Sequence, residues 1–481
     1  MMNTKTKYKT LAKDMGLFSI SSFGTKLLFF FLTPLYTSYL TTNDYGIADI
    51  LTTTNNFIYP LLTLAISDAT LRYSLDKQYN KKAVFCISTL ITLISIVALC
   101  IFRPMLTIID PSLDYYWFMF LLIYGLSNIL GYIANFVKGL GRTKLFAVQG
   151  IIQTVTIIIS NIILLVVLRM GVNGYLLSMV IGYVVPIVLL IIKARLYKYI
   201  SPFKIDKELL KDMLKYSIPL IPTMLLWSVN TTIDKYMIIH MYSLGDSGIY
   251  SIAHKIPSII STVFSIFLSA WYISAITNHG SDDESEYYTN IYKTLDIVGI
   301  LGSMVIIILN KYLAGLLYAK DFFVAWRYVP FLLVSSMFSS YSGFIASAYR
   351  ASKKTKQLLV SVVAGALINI VLNYILLKYI GVLGAAIATA ASFFIVWLIR
   401  IISVQKIVKI NINVIPTVIS YSLLLLSVII STLDIIPHVM IYNLAFFITI
   451  IIINRKTIRY YFTIVKDLLR KLFMKKQERS I

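Results

Sequence analysis

"TKLFAVQGIIQTVTIIISNIILL", residues 143 to 165, returns as "TKQLLVSVVAGALINIVLNYILL", residues 355 to 377. Thr143 falls on Thr355, Lys144 on Lys356 and Asn161 on Asn373, among eight identities. Both tracts are apolar over the roughly 20 residues that a helix needs to cross hydrocarbon about 30 Å thick. Apolar letters recur by chance, but polar landmarks in a fixed register and order do not. "GVNG" (171 to 174) is answered by "GVLG" (381 to 384), "KDM" at 13 to 15 by "KDM" at 211 to 213, and "GIADI" (46 to 50) by "GIYSI" (248 to 252). The chain therefore reads as a duplication.

Composition supplies the setting. Of 481 residues, 58% are hydrophobic and 14% charged, with a mean hydropathy of +0.80, outside the range of soluble domains. Fourteen apolar segments are centred near residues 27, 59, 93, 126, 157, 183, 228, 261, 300, 338, 367, 393, 422 and 444. Tracts of alternating residues, which a membrane barrel requires, are absent. The expected fold is an all-α integral membrane protein with about 14 transmembrane helices. Residues 1–205 would form an N-terminal six-helix lobe and 206–410 a second one. Six is even, so the second lobe starts on the side where the first did. The lobes are thus a parallel repeat about an axis along the membrane normal, with a cleft between them. Two further spans occupy 411–454, and 455–481 reads as a basic amphipathic tail on the cytoplasmic leaflet.

The formal net charge of +23 raises the question of nucleic acid. Its placement answers that question. With the N-terminus in the cytoplasm, 35 of the 44 Lys and Arg fall in cytoplasmic segments. Six lie on the outer side (Arg103, Arg169, Lys311, Lys320, Arg327, Lys378) and three within spans (Lys26, Lys235, Lys255). This is the positive-inside pattern, with both termini cytoplasmic in a multi-pass protein of the cell (inner) membrane. It implies anionic membrane lipids as partners and no nucleic acid. The acidic "SDDESE" (281 to 286) is a cytoplasmic exception, of little weight because acids count little in that rule. The basic N-terminus precedes a segment too long for a signal peptide, so it reads as a retained first span. Cys86 and Cys100 share one apolar run and read as small hydrophobes.

A lysine at a helix centre costs about 2.5–3.5 kcal/mol on insertion scales, so Lys26, Lys235 and Lys255 are expected to line a polar cavity and to bind an anionic substrate. They lie in spans 1, 7 and 8, equivalent helices of the two halves. Asp49 and Asp68 near the ends of span 2, Asp234 beside Lys235, and His254 beside Lys255 are candidates for ion coupling or for structural roles. Adjacent helical residues point about 100° apart. Asp234 is therefore expected to tether a neighbouring helix, and Lys235 to meet a substrate head group. No paired carboxylates, metal-ligand spacing, nucleophile elbow or phosphate loop appears, so neither catalysis, metal nor cofactor is expected.

"LTPLYTSYLTTNDYGIADI" (32 to 50), "DKYMIIHMYSLGDSGIYSIAHKI" (234 to 256) and the "GLGRTK" and "ASKKTK" joints resemble the polysaccharide-biosynthesis (Wzx-type) flippases of the multidrug/oligosaccharidyl-lipid/polysaccharide exporter superfamily. The resemblance covers nearly the whole chain. It implies two six-helix lobes around a central cavity and translocation of undecaprenyl-diphosphate-linked oligosaccharide repeat units to the outer leaflet. It also implies polysaccharide polymerase and chain-length machinery as partners, and a lipid-tail groove formed by spans 13 and 14. Where many members carry arginine near Lys26, lysine keeps the charge without the bidentate fork. A cation-coupled multidrug exporter of the same fold is the alternative; its cationic substrates call for carboxylates where this interior carries lysines. A membrane-bound glycan polymerase or ligase is a third reading, and the short outer loops oppose it.

Overall fold

The computed structural model describes residues 30–200, 206–277, 279–280, 282–352, 354–434, 437–455 and 457–459. Lys26 and the amphipathic tail from residue 460 onward lie outside the described residues. The protein is an all-helical membrane protein, and the expected centres from 59 to 444 all fall inside helices. Among the described residues, nine helices are long and apolar enough to cross a membrane, or ten if Leu244–Ala253 and Pro257–Ser269 form one broken span. Thr42–Leu62 and Ile221–Met241 have spanning length but carry Asp, Asn, Thr and Lys. The helix Val439–Ile453 is shorter, with 15 residues.

Two compact units divide the described residues. The first takes in the described part of 1–255 together with Leu316–Ala325 and Val362–Ala388; the second holds Ile256–Gly315, Trp326–Ser361 and the described residues from Thr389 on.

In the first unit, the second span is interrupted a few residues after Pro60, which lacks the N–H that would bond the Asn56 carbonyl. The Thr42–Leu62 helix closes with the Ala65 N–H on the Pro60 carbonyl at 3.1 Å, Leu64 and Ala65 turn to positive φ (52° and 51°), and a helix restarts at Ile66. Its start recurs in the second half. Thr41 accepts from the Asp44 N–H, and Ser243 accepts from the Asp246 N–H. Thr41, Asp44, Gly46, Ile47 and Ile50 thus answer Ser243, Asp246, Gly248, Ile249 and Ile252 at one constant offset, so the repeat includes the cap as well as "GIADI". These two equivalent helices pack on each other through Gly46 and Gly248. A Cβ on Gly46 would overlap the Leu244 carbonyl oxygen, and one on Gly248 the Thr42 carbonyl oxygen. The absence of side chains lets the backbones meet, the close approach that glycine alone permits between membrane helices.

The repeated asparagines also do equivalent work in this unit. Asn161 donates to Tyr36 Oη at 3.3 Å in the Thr33–Tyr39 helix, and Asn373 donates to Asp234 Oδ1 at 2.6 Å in the Ile221–Met241 helix. Each ties the helix that carries it to a helix earlier in the chain.

In the second unit, the most enclosed helix is Val329–Ala351, with Tyr341, Phe344 and Tyr349 fully buried. Asp296 is buried in Glu284–Leu317 and accepts from Tyr421 Oη of Val414–Leu433 at 2.6 Å. Val414–Leu433 and Val439–Ile453 are joined by Asn443, which accepts from Ser427 and donates to Ser431, each at 2.7 Å. Arg400, counted among the cytoplasmic segments by sequence, sits in Val382–Ser403 with 4% of its surface exposed and donates to Ser361 Oγ and the Ser342 carbonyl. The apolar run masked it because the residue lies in the last turn.

Candidate functional site

The intramembrane charges of the first unit converge on three helix segments, Thr42–Leu62, Ile221–Met241 and Leu244–Ala253 with its C-terminal turn. Lys235 Nζ meets Asp49 Oδ2 at 2.6 Å and Thr53 Oγ1 at 3.3 Å. Ser251 donates to the same carboxylate oxygen at 2.7 Å. Asp49 and Ser251 are equivalent positions of the repeat, so the two "GIxxI" segments touch through their fourth residues as well as through their glycines. The Lys235 and Asp49 side chains are only 15% and 18% exposed. At that depth neither charge is well hydrated alone, and the pair with its two hydroxyl partners compensates the burial of both.

Lys255 and His254 complete the cluster. Both are half-buried just beyond the end of Leu244–Ala253, where the Lys255 N–H closes the turn on the Ile252 carbonyl at 2.9 Å. Lys255 acts electrostatically on Asp49, and His254 feels Lys235, Asp49 and Lys255. The His254 ring lies edge-on to Tyr250 with centroids 4.9 Å apart. Tyrosines wall the group. Tyr45 and Tyr175 are also electrostatic neighbours of Asp49, and Tyr236 shares a hydrogen bond with Thr54 at 3.0 Å. Two lysines thus stand near one carboxylate among several hydroxyls. Such an arrangement favours an anion with several acceptor oxygens.

Asp234 points elsewhere. It is buried, accepts from Tyr250 Oη at 2.8 Å and from Asn373 Nδ2 at 2.6 Å, and thereby links three helices. Replacing Asn373 by alanine removes one of these donors from a buried carboxylate. A loss of about 1.5–3 kcal/mol is expected, the usual size for hydrogen bonds to charged groups. Thermal unfolding of the detergent-purified variant checks it, and an unchanged midpoint would refute the tether. Asp68 is half-buried in the first turn of Ile66–Leu75 and makes no contact with the cluster among the described residues. Lys26 lies outside the described residues. Sequence reasoning missed Ser251 and Thr53, although the repeat offered a signal for Ser251, because it stands where the first half has Asp49. The tyrosines had no such signal, since 34 of them are spread along the chain.

Comparison with known proteins agrees with this architecture. The family described as polysaccharide biosynthesis protein matches residues 11–274, and the MatE family matches 219–375. An uncharacterized membrane protein of Methanocaldococcus jannaschii is 25% identical over 301 residues, which are 59% of this chain and 70% of that one. Among solved structures, the lipid II flippase MurJ in an inward closed conformation superposes with a TM-score of 0.71 at 18% identity, over 94% of this chain and 99% of its own. An inward-facing multidrug resistance MATE family transporter of the MOP superfamily gives 0.63 at 13% identity, over 81% of this chain and 98% of its own. A MOP superfamily transporter from Pyrococcus furiosus gives 0.57 at 16% identity, over 82% and 96%. The fold is that of the MOP superfamily.

Proposed function

Because the chain belongs to the polysaccharide biosynthesis protein family, we propose that it is a flippase that carries undecaprenyl-diphosphate-linked oligosaccharide repeat units from the cytoplasmic to the outer leaflet, for assembly of a surface polysaccharide. The observation that carries this reading is the ion pair of the intramembrane Lys235 with Asp49, with Lys255 acting electrostatically on the same carboxylate and tyrosines around it. A diphosphate head group brings about two negative charges into the membrane and needs cationic, hydroxyl-bearing surroundings to avoid the cost of hydrocarbon. The site offers both. A lipophilic cation would meet the opposite balance of charge.

The C-terminal helices lend support. The superposition on MurJ reaches 94% of the chain and that on the MATE transporter 81%. The difference is close in size to Val414–Leu433 and Val439–Ile453 with their connections. On this reading the pair belongs to the handling of a lipid-linked substrate. With a membrane potential negative inside, export of two negative charges is favoured by about 4.6 kcal/mol per 100 mV, from about 2.3 per charge. The potential alone is then a sufficient drive.

Deletion of the gene followed by lipid extraction tests the assignment. A diphosphate-linked repeat unit is expected to accumulate, inaccessible to a glycan-specific probe outside intact cells, and to become accessible when the gene is restored. Raised sensitivity to lipophilic cations with normal surface glycan would replace the flippase with the multidrug exporter.

A further inference from the structure

A second concentration of positive charge lies away from the Asp49 cluster, at the helix ends of the first unit that carry its excess of Lys and Arg. Lys82 from the first turn of Lys81–Leu99, Arg142 at the start of Thr143–Asn161, Arg195 at the end of Gly171–Ala194 and Lys198 in the turn Leu196–Tyr199 surround a cavity of about 440 Å³. Ala194 and Tyr199 complete its lining, and no carboxylate contributes. Among the described residues, none of the four cations forms an ion pair; Arg142 donates to the Lys193 carbonyl at 3.4 Å. Each of the four is exposed, so their N–H groups are open to a ligand.

The cavity is built rather than incidental. The Tyr199 ring packs against Phe136 and Phe85, with centroids 5.1 and 6.4 Å away, and Leu196 is buried. Cys86 Sγ reaches the Tyr199 carbonyl at 3.6 Å. The short turn bearing Lys198 is therefore fixed against the Lys81–Leu99 helix that bears Lys82. Four like charges around one concavity are screened by water while it is empty, and together they favour an anion there. Lys82 and Arg142 also stand at helix N-termini, where the helix dipole disfavours a cation and favours an anion. At the ends of membrane spans, the anions present at high concentration are lipid phosphates, and basic pockets between spans on the positive face are where such head groups bind.

We propose that the Lys82, Arg142, Arg195 and Lys198 pocket binds the phosphate head group of an anionic lipid. The site stands apart from the Asp49 cluster, and its existence does not depend on which substrate the protein transports. Two lipids share this chemistry, the phosphatidylglycerol of the surrounding leaflet and the undecaprenyl diphosphate of a flippase substrate.

The full chain, reconstituted in phosphatidylcholine nanodiscs, is titrated with dioctanoyl phosphatidylglycerol while thermal unfolding is followed. The triple variant Lys82→Gln, Arg195→Gln, Lys198→Gln is compared with a control of equal charge loss, Lys207→Gln, Lys211→Gln, Lys215→Gln. Wild type and control are expected to saturate within about twofold of each other, and the pocket variant about tenfold weaker or worse, the size of a lost cluster of phosphate contacts. Equal weakening in the control, or equal saturation of wild type by dioctanoyl phosphatidylcholine, would overturn the site. Competition by undecaprenyl diphosphate at lower concentration than phosphatidylglycerol supports the pocket as a stop for substrate, and the reverse order supports a resident phospholipid. Displacement by neither overturns it. The four side chains are exposed, so unfolding midpoints without added lipid are expected to match across all three proteins.

Discussion

Replacing Gly46 by alanine is expected to cost the protein most of its folded population in membrane extracts. The added Cβ would overlap the Leu244 carbonyl oxygen and lie 2.8 Å from its carbon, and both atoms are backbone. A crowded side chain can rotate away, but a backbone carbonyl inside a helix cannot without breaking its ladder. The Thr42–Leu62 and Leu244–Ala253 helices would have to separate, and separation also pulls Ser251 from Asp49. Overpacking costs about 1–3 kcal/mol where neighbours can yield; this site lies at or beyond the upper end. Gly248→Ala is expected to behave alike, since its Cβ would crowd Thr42 and Gly46. Gly302→Ala and Gly315→Ala provide the control, because a Cβ at either meets nothing within 4 Å. Size-exclusion of tagged protein and the thermal midpoint are the measurements, and a monodisperse Gly46→Ala protein melting with the wild type would refute the close packing.

That contact shows how far the sequence could be read. Spans were legible because membrane helices announce themselves over about 20 residues of hydrophobicity. The duplication was legible in "GIADI" and the paired asparagines, whereas the break after Leu62 was not anticipated. Asp234 and Lys235 turn to different partners, as 100° per residue demands. The partners themselves were illegible. Asp49 and Lys235 are 186 positions apart, and no spacing rule joins residues brought together by packing of helices. Ser251 and Thr53 look like ordinary small polar residues until the carboxylate beside them is known. Asp296 and Arg400 were passed over for the opposite reason, each being a single charge at the edge of a long apolar run whose stabilising contacts come from other helices.

The Asp49 cluster separates two jobs that single substitutions confuse, and this gives the second large effect. Lys235→Gln leaves the Asp49 carboxylate without its cation. For a buried pair the loss is about 3–5 kcal/mol; here the Ser251 donor remains and both side chains keep some exposure, so the lower end is expected. Asp49→Asn in the same chain removes the orphaned charge, and the double variant is expected to recover most of the wild-type midpoint. Lys255→Gln differs from both. It takes away a cation while Lys235 and Ser251 still hold Asp49, so the midpoint is expected to fall less than in Lys235→Gln. If the cluster receives a diphosphate, Lys255→Gln and the stable double variant both lose a charge-assisted contact of about 1.5–3 kcal/mol. Surface glycan would then fall roughly ten- to a hundredfold, as ΔG converts to rate or affinity at about tenfold per 1.4 kcal/mol. The two readouts decide between roles. A variant that is stable but silent in glycan display places the lysines on the path of the substrate. Full display by both stable variants leaves the lysines only the task of neutralising Asp49, and the anionic-substrate reading of the cluster fails.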